Sequence, residues 1–249
     1  MLAGRTAFVS AATSGLGLAV ALGLGEAGAT VVVCGRDESR LGRAVDRLGS
    51  AGDAGTFGIV ADVSSSAGAI AFIDEAVDCA GAPDILVLNG AGPPTGLARA
   101  TPPETFEHAF AQVALPAIAM CHRVIEGMCE RGWGRILAIT SSTVRQPIAR
   151  LTPSTVSRAG LTGYLKSLAT EVAGNGVTVN SVQPGLHETE RVRDVYGEDL
   201  HDEVHRIPAG ALGQTEDFGR IAALLCSDYA RFVTGIGMPI DGGANAALF

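Results

Sequence analysis

Seven short apolar runs alternate with longer segments of helical character along the chain, and this alternation constrains the fold more than any other feature. The runs are Thr6–Ser10, Thr30–Cys34, Phe57–Ala61, Ile85–Leu88, Arg135–Thr140, Val177–Val182 and Gly237–Ile240. Rich in β-branched residues and apolar on both faces, they predict strands of a parallel sheet covered by helices on each side. Helix-length segments fall near 15–27, 39–49, 66–80, 104–130, 155–173 and 216–227. Such alternation, with right-handed crossovers, predicts a doubly wound α/β sheet. No repeat, low-complexity tract or Pro/Gly linker divides the 249 residues, so the chain reads as a single domain over 1–249. One stretch differs in texture: Leu186–Pro208 is charged and carries three of the five histidines, and it reads as an insertion before the last helix.

Charge narrows the class. Eighteen Lys+Arg against 26 Asp+Glu leave a net charge of −8, which argues against a nucleic-acid partner and against an anionic membrane surface. The most apolar stretch, Leu16–Ala29, is broken by glycines and Glu26 and is too short to cross a bilayer. Arg5-Thr-Ala-Phe-Val-Ser10 already reads as the first strand, which leaves no room for a secretion signal before the fold. The five cysteines are odd in number, scattered and without C-x-x-C spacing. Buried reduced thiols in a cytoplasmic protein are therefore expected, with no metal site.

The first strand runs into Ser10-Ala-Ala-Thr-Ser-Gly-Leu-Gly17 and then a helix. Gly15 and Gly17 allow a tight turn that aims amide N–H groups at a diphosphate lying on the helix dipole's positive end. A lone G-x-G before a helix is a weak signal; here the preceding strand, the following helix and a second strand at the right distance strengthen it. That second strand ends in Cys34-Gly-Arg36. Its end would carry an acidic residue for a ribose 2′-OH, whereas Arg36 suits a 2′-phosphate and so NADP(H) over NAD(H). A solvated loop arginine is the plainer reading of Arg36.

Several motifs in order resemble those of the short-chain dehydrogenase/reductase family, in its 3-oxoacyl-carrier-protein reductase-like branch. They are the Gly-rich turn, Asp62-Val63, Asn89-Gly-Ala-Gly92, Arg135-Ile-Leu-Ala-Ile-Thr-Ser-Ser142, Val179-Asn-Ser-Val-Gln-Pro-Gly185, and Val233-Thr-Gly with Asp241-Gly-Gly243. The resemblance implies a single-domain Rossmann-type fold, a bound nicotinamide dinucleotide, a small-molecule or acyl-thioester substrate, and a homo-oligomer, tetramer or dimer. It places Asp62 and Val63 at the adenine, Asn89 and Gly92 along the adenosine and ribose, and Ser14 with Gly15, Leu16 and Gly17 at the phosphates. Pro184, Gly185 and Thr189 would hold the nicotinamide end. Asp62 also suits a helix N-cap and Asn89 a turn. The family's first turn glycine is Ala11 here, a change that costs little at negative φ and about 1 kcal/mol or more at positive φ.

The catalytic segment departs further. The family uses a tyrosine as proton donor, a lysine four residues on, a serine that orients the carbonyl and an asparagine in the fourth helix. Here the tyrosine and lysine positions read Ser154 and Arg158, the serine is kept as Ser141, and the asparagine falls at about Val113. Tyr164, Tyr196 and Tyr229 are followed four residues later by Leu168, Leu200 and Val233, so no Y-x-x-x-K exists anywhere. Tyr164 reads as a packing residue. Arg158 can hold the cofactor ribose but does not shuttle a proton at neutral pH. Ser154 could position water or a carbonyl, or simply cap the helix behind Pro153. His187 could replace the missing acid, although an exposed loop histidine is the simpler reading. His201 and His205 read as surface residues, and His108 and His122 have no evident partners. The apolar tail Ala244–Phe249 suits burial at a subunit contact.

Three functions follow. One is an NADP(H)-dependent reductase of a ketone-like or 3-oxoacyl carbonyl, with Ser141, Ser154 and Arg158 as catalytic residues and a non-standard proton donor. A variant is conjugate reduction of an enone, where hydride lands on carbon and less acid is needed. The other is a catalytically inactive NADP-binding scaffold or sensor.

Overall fold

The computed structural model describes residues 1–52 and 54–248. Seven parallel strands form one sheet in the order β3-β2-β1-β4-β5-β6-β7. They are β1 (Thr6–Val9), β2 (Thr30–Gly35), β3 (Thr56–Val60), β4 (Ile85–Leu88), β5 (Gly134–Ile139), β6 (Val177–Pro184) and β7 (Gly237–Ile240). The helices are α1 (Gly15–Glu26), α2 (Glu38–Ala51), α3 (Ser66–Ala80), α4 (Pro103–Glu130), α5 (Thr152–Val172), α6 (Glu190–Tyr196), α7 (Leu200–His205) and α8 (Thr215–Leu225). Each expected strand and helix is present, with ends shifted by up to three residues. The segment 186–208 folds as α6 and α7 with a short 3-10 turn between them.

Alternation along the strands divides the core into two layers. Phe8, Val32 and Leu86 face α3, α4 and α5, where they meet Phe72, Met120 and Leu165. Ala7, Val9, Val31, Val33 and Val87 face α1, α2 and α8, where they meet Leu24, Leu41 and Phe218. A residue step of one reverses the face, which is why strands buried on both sides show no polar alternation. On the second layer α1 and α8 approach backbone to backbone. A Cβ at Gly23 would stand 2.6 Å from the Gly219 carbonyl carbon, so only glycine permits the distance.

The motif on β6 proves to be a structural tie. Asn180 donates from Nδ2 to the Val233 carbonyl (2.7 Å) and accepts at Oδ1 from the Ile236 amide (3.2 Å), which holds the last loop and β7 against β6. All five cysteines are free. Cys34, Cys121 and Cys226 are buried as expected, whereas Cys79, in the last turn of α3, is exposed and Cys129 is only half-buried. The C-terminal tail is also exposed within the monomer, with Leu248 at 86%. Phe249 lies outside the described residues. No described helix is long and apolar enough to cross a membrane.

Candidate active site

The strand order reverses between β1 and β4, and a crevice opens there at the carboxyl ends of the strands. The turn from β1 to α1 forms its floor. Asn89, at the end of β4, donates from Nδ2 to the Ala11 carbonyl (2.9 Å), and its amide donates to Ser10 Oγ (2.9 Å). Asn89 is thus the turn-maker, and its side-chain amide packs so closely on Gly17 that no Cβ fits there. Ala11 adopts φ +49°, the strained of the two alternatives for that position.

The amino end of α1 is bare. Ser14 makes no side-chain cap and the first turn carries no acid; Asp37, Ser65 and Thr189 cap α2, α3 and α6, while α4, α5, α7 and α8 share the lack of a side-chain cap. A helix that leaves its first N–H groups unanswered in a crevice fits a diphosphate. Ser14, Gly15, Leu16, Gly17, Asn89 and Gly92 line one side of a cleft of about 410 Å³. Pro184, Gly185 and Thr189 line the opposite side, and Ser141, Ser154 and Arg158 the inner end.

Three expected residues lie outside that cleft. Arg36 and Asp62 stand at the open ends of β2 and β3, and their charged groups approach to 3.9 Å. The Arg36 side chain is 70% exposed, so the guanidinium remains free to meet a phosphate. Asp62 does not cap α3, since Ser65 does so by accepting from the Gly68 amide (3.2 Å). It accepts instead from the Ser64 amide (3.0 Å), and hydrogen bonding by the Ser64 side chain first, and its amide second, holds the Asp62 carboxyl below the usual carboxylate range. Val63 lines a void of about 20 Å³ behind the cleft, shared with Val113 and Arg158.

The inner end shows how the substituted residues sit. Ser141 follows β5, and its Oγ accepts from the Thr143 amide (3.2 Å) and the Thr143 hydroxyl (2.9 Å). With both acceptor sites engaged by a buried threonine, the Ser141 O–H is left to donate. Ser154 accepts a hydrogen bond from Arg158 Nη1 one turn along α5. It is not a helix cap: α5 begins at Thr152, and Pro153 and Ser154 lie inside its first turn. Burial first, and the Arg191 charge second, bring the Arg158 guanidinium down to about 10, which leaves it protonated at neutral pH.

Arg191 is a site residue that the sequence does not announce. It stands two positions after Thr189 on α6, yet its Nη2 reaches the Pro93 carbonyl (3.2 Å) beyond β4. Tyr196, at the end of the same helix, also lines the cleft, and burial pushes its hydroxyl upward, away from ionisation. A cationic side chain just past the Pro184-Gly185 loop was the available signal for Arg191.

The histidine expectations change. His187 is buried at 2% rather than exposed, because residues 186–188 pair with Gly213 and turn the ring under α8. There its edge packs on Phe218 at 5.0 Å between centroids, and Nδ1 lies 3.3 Å from the Gly185 carbonyl. Burial lowers its tendency to protonate, and it does not line the cleft. His122 does have a partner, since it stacks on Tyr164 at 6.3 Å. Tyr164 itself packs against the first core layer, turned away from the cleft. His201 and His205 are on the surface as expected.

Residues 10–245 match the protein-family model described as Enoyl-(Acyl carrier protein) reductase. The chain is 33% identical to the 3-oxoacyl-[acyl-carrier-protein] reductase of Pseudomonas aeruginosa over 97% of this chain and 98% of that one. It belongs to the short-chain dehydrogenase/reductase family. Among solved structures it resembles a single-residue variant of the actinorhodin polyketide ketoreductase with NADPH, at 30% identity and TM-score 0.91, covering 98% of each chain. It resembles equally a 7α-hydroxysteroid dehydrogenase complexed with NADH, at 26% identity and TM-score 0.92, covering 100% of this chain and 97% of that one. The family is one of oxidoreductases, and of these two solved structures one holds NADPH and the other NADH.

Proposed function

We propose that the protein is an NADP(H)-dependent reductase of carbonyl substrates that works without the family's tyrosine. The reading is carried by one juxtaposition. The uncapped end of α1 and a Ser141 hydroxyl set to donate line the same 410 Å³ cleft. The residues present fit a nicotinamide dinucleotide. Ser14 to Gly17 would receive the diphosphate, Arg36 the 2′-phosphate, Asp62 and Val63 the adenine, and Asn89, Gly92 and Arg158 the ribose side. Pro184, Gly185 and Thr189 would hold the nicotinamide, which when bound supplies the hydride.

The chain's own residues then act on the carbonyl. Ser141 donates to its oxygen, and Thr143 keeps that hydroxyl aimed. Arg158 places a fixed positive charge near the oxygen as the C=O π pair moves onto it, which is stabilising in a partly dry cleft. Ser154 takes up Arg158 Nη1 through its lone pair and so has its own O–H free to pass a proton in from water. Replacement of tyrosine by a weak acid favours reactions in which charge is delocalised, which keeps conjugate reduction of an enone within the reading. A second reading, a nucleotide-binding scaffold without turnover, rests on the same Ser154 and Arg158.

Calorimetric titration with NADPH and NADH, on the wild type and Arg36→Ala, tests the assignment. A guanidinium–phosphate bond worth about 1.5–3 kcal/mol corresponds to roughly a tenfold or greater preference for NADPH that the substitution removes. Equal affinities in the wild type overturn the phosphate role. NADPH binding without consumption across ketones, 3-oxoacyl thioesters and enones assigns the scaffold reading instead.

A further inference from the structure

The charge in the cleft runs against the charge of the chain. The protein carries −8 overall, yet the only ionisable groups with a charge at neutral pH among the described residues lining the cleft are Arg158 and Arg191. No carboxylate among the described residues lines it. Every ion pair among the described residues belongs to other arginines. Arg158 has one neutral partner, Ser154, and its buried Nε has none. Arg191 has one carbonyl partner, that of Pro93.

Arg191 is seated by the backbone opposite. Its guanidinium carbon lies where a Cβ on Gly92 would be only 2.6 Å away, so the missing side chain makes the berth. Two guanidinium groups brought into one crevice without a counter-charge repel each other, and an anion between them relieves that repulsion. A planar carboxylate matches the guanidinium fork by two parallel hydrogen bonds. The remaining wall contains Ile148, Leu151, Val192 and Val195, which suits a short apolar chain.

We propose that Arg191, beside the fixed charge of Arg158, reads a carboxylate on the substrate, so that the cleft takes a free oxo acid with a short apolar tail in preference to a neutral ketone or ester. The inference rests on the carbonyl-reductase reading above, and it names the substrate class for that site. The cofactor diphosphate is the other source of anionic oxygen in this cleft, and the test separates the two.

Calorimetric titration and thermal melts of the full chain, with and without NADPH, use 2-oxopentanoate, its methyl ester and 2-pentanone as probes. The wild type is expected to bind the acid about tenfold or more tightly than the ester or ketone. Arg191→Met is expected to weaken the acid by about tenfold and to leave NADPH affinity within about twofold. Arg191→Lys, which keeps the charge without the fork, recovers part of the loss, and matching circular dichroism spectra exclude misfolding. Equal affinity for acid and ester, or no measurable binding of the acid, overturns the proposal. A loss confined to NADPH also overturns it and assigns Arg191 to the diphosphate. If NADPH fails to bind while the acid still binds through Arg191, the reductase reading falls and the carboxylate site stands. If NADPH binds and the neutral ketone binds as tightly as the acid, the reductase reading stands and the carboxylate selection falls.

Discussion

Replacement of Ala11 by glycine should stabilise this protein, although it removes a methyl group. Ala11 has φ +49°, the left-handed region where an L-residue with a Cβ is strained by roughly 1–2 kcal/mol. Glycine relieves that strain but restores freedom to the unfolded chain, at a cost of about 0.4–1 kcal/mol. The net gain is therefore about 0.5–1 kcal/mol. Nothing else in the turn has to change. The Ala11 amide donates to Cys34 Sγ (3.3 Å) and its carbonyl accepts from Asn89 (2.9 Å), both through the backbone. In a chain of this length about 1 kcal/mol moves the melting temperature by roughly 2–4 °C, so a rise of about 1–4 °C is expected. Differential scanning calorimetry of Ala11→Gly reads it directly, and Ala11→Val serves as the opposite control. The valine should lower stability by about 2 kcal/mol, since a β-branched residue is a stronger outlier at positive φ. If the glycine variant melts at or below the wild type, the turn is not strained and the account of this position is wrong.

Two further outcomes follow from the site. Thr143→Val removes the hydroxyl that donates to Ser141 but keeps the shape of a buried side chain. It should lower kcat about tenfold, near 1.4 kcal/mol, with KM and NADPH affinity little changed. An unchanged kcat removes Thr143 from any positioning role. His187 is held below its ordinary value of 6.5 by burial, so the unfolded chain binds its proton more readily than the folded one. Its contribution is full above about pH 6.5 and is lost as pH falls below that value. Melting curves at about pH 7.5 and about pH 5.5 should therefore show a larger acid loss in the wild type than in His187→Phe, and equal losses would contradict the buried, neutral assignment.

Much of the architecture was legible in the chain, because it depends on neighbours in sequence. Apolar runs such as Val31–Cys34 and Ile85–Leu88 alternate with segments of helical length, and that pattern yields a parallel sheet sandwiched between helices whatever the loops do. The glycines of the first turn and the pair Ser154 and Arg158 were legible as candidate site residues, since each is a matter of which residue stands at which spacing, and the fold brings them to one cleft. Helix ends were less legible. Ser154 looked like a cap behind Pro153, but Thr152 takes the first helical position and the serine turns inward to Arg158.

What the tertiary structure alone decided is where loop side chains point. The sign of φ at Ala11 depends on Asn89, which lies 78 residues away and pulls on its carbonyl. His187 becomes a core residue because Gly213 and Phe218 arrive beside it from α8 and the loop before it. Arg191 becomes a cleft residue because Gly92 and Pro93, nearly a hundred positions earlier, leave room for its guanidinium and offer a carbonyl to it. Periodicity is written by adjacent residues, so it survives in the sequence. Loop orientation is set by whichever distant backbone packs alongside, and that packing exists only once the chain has folded.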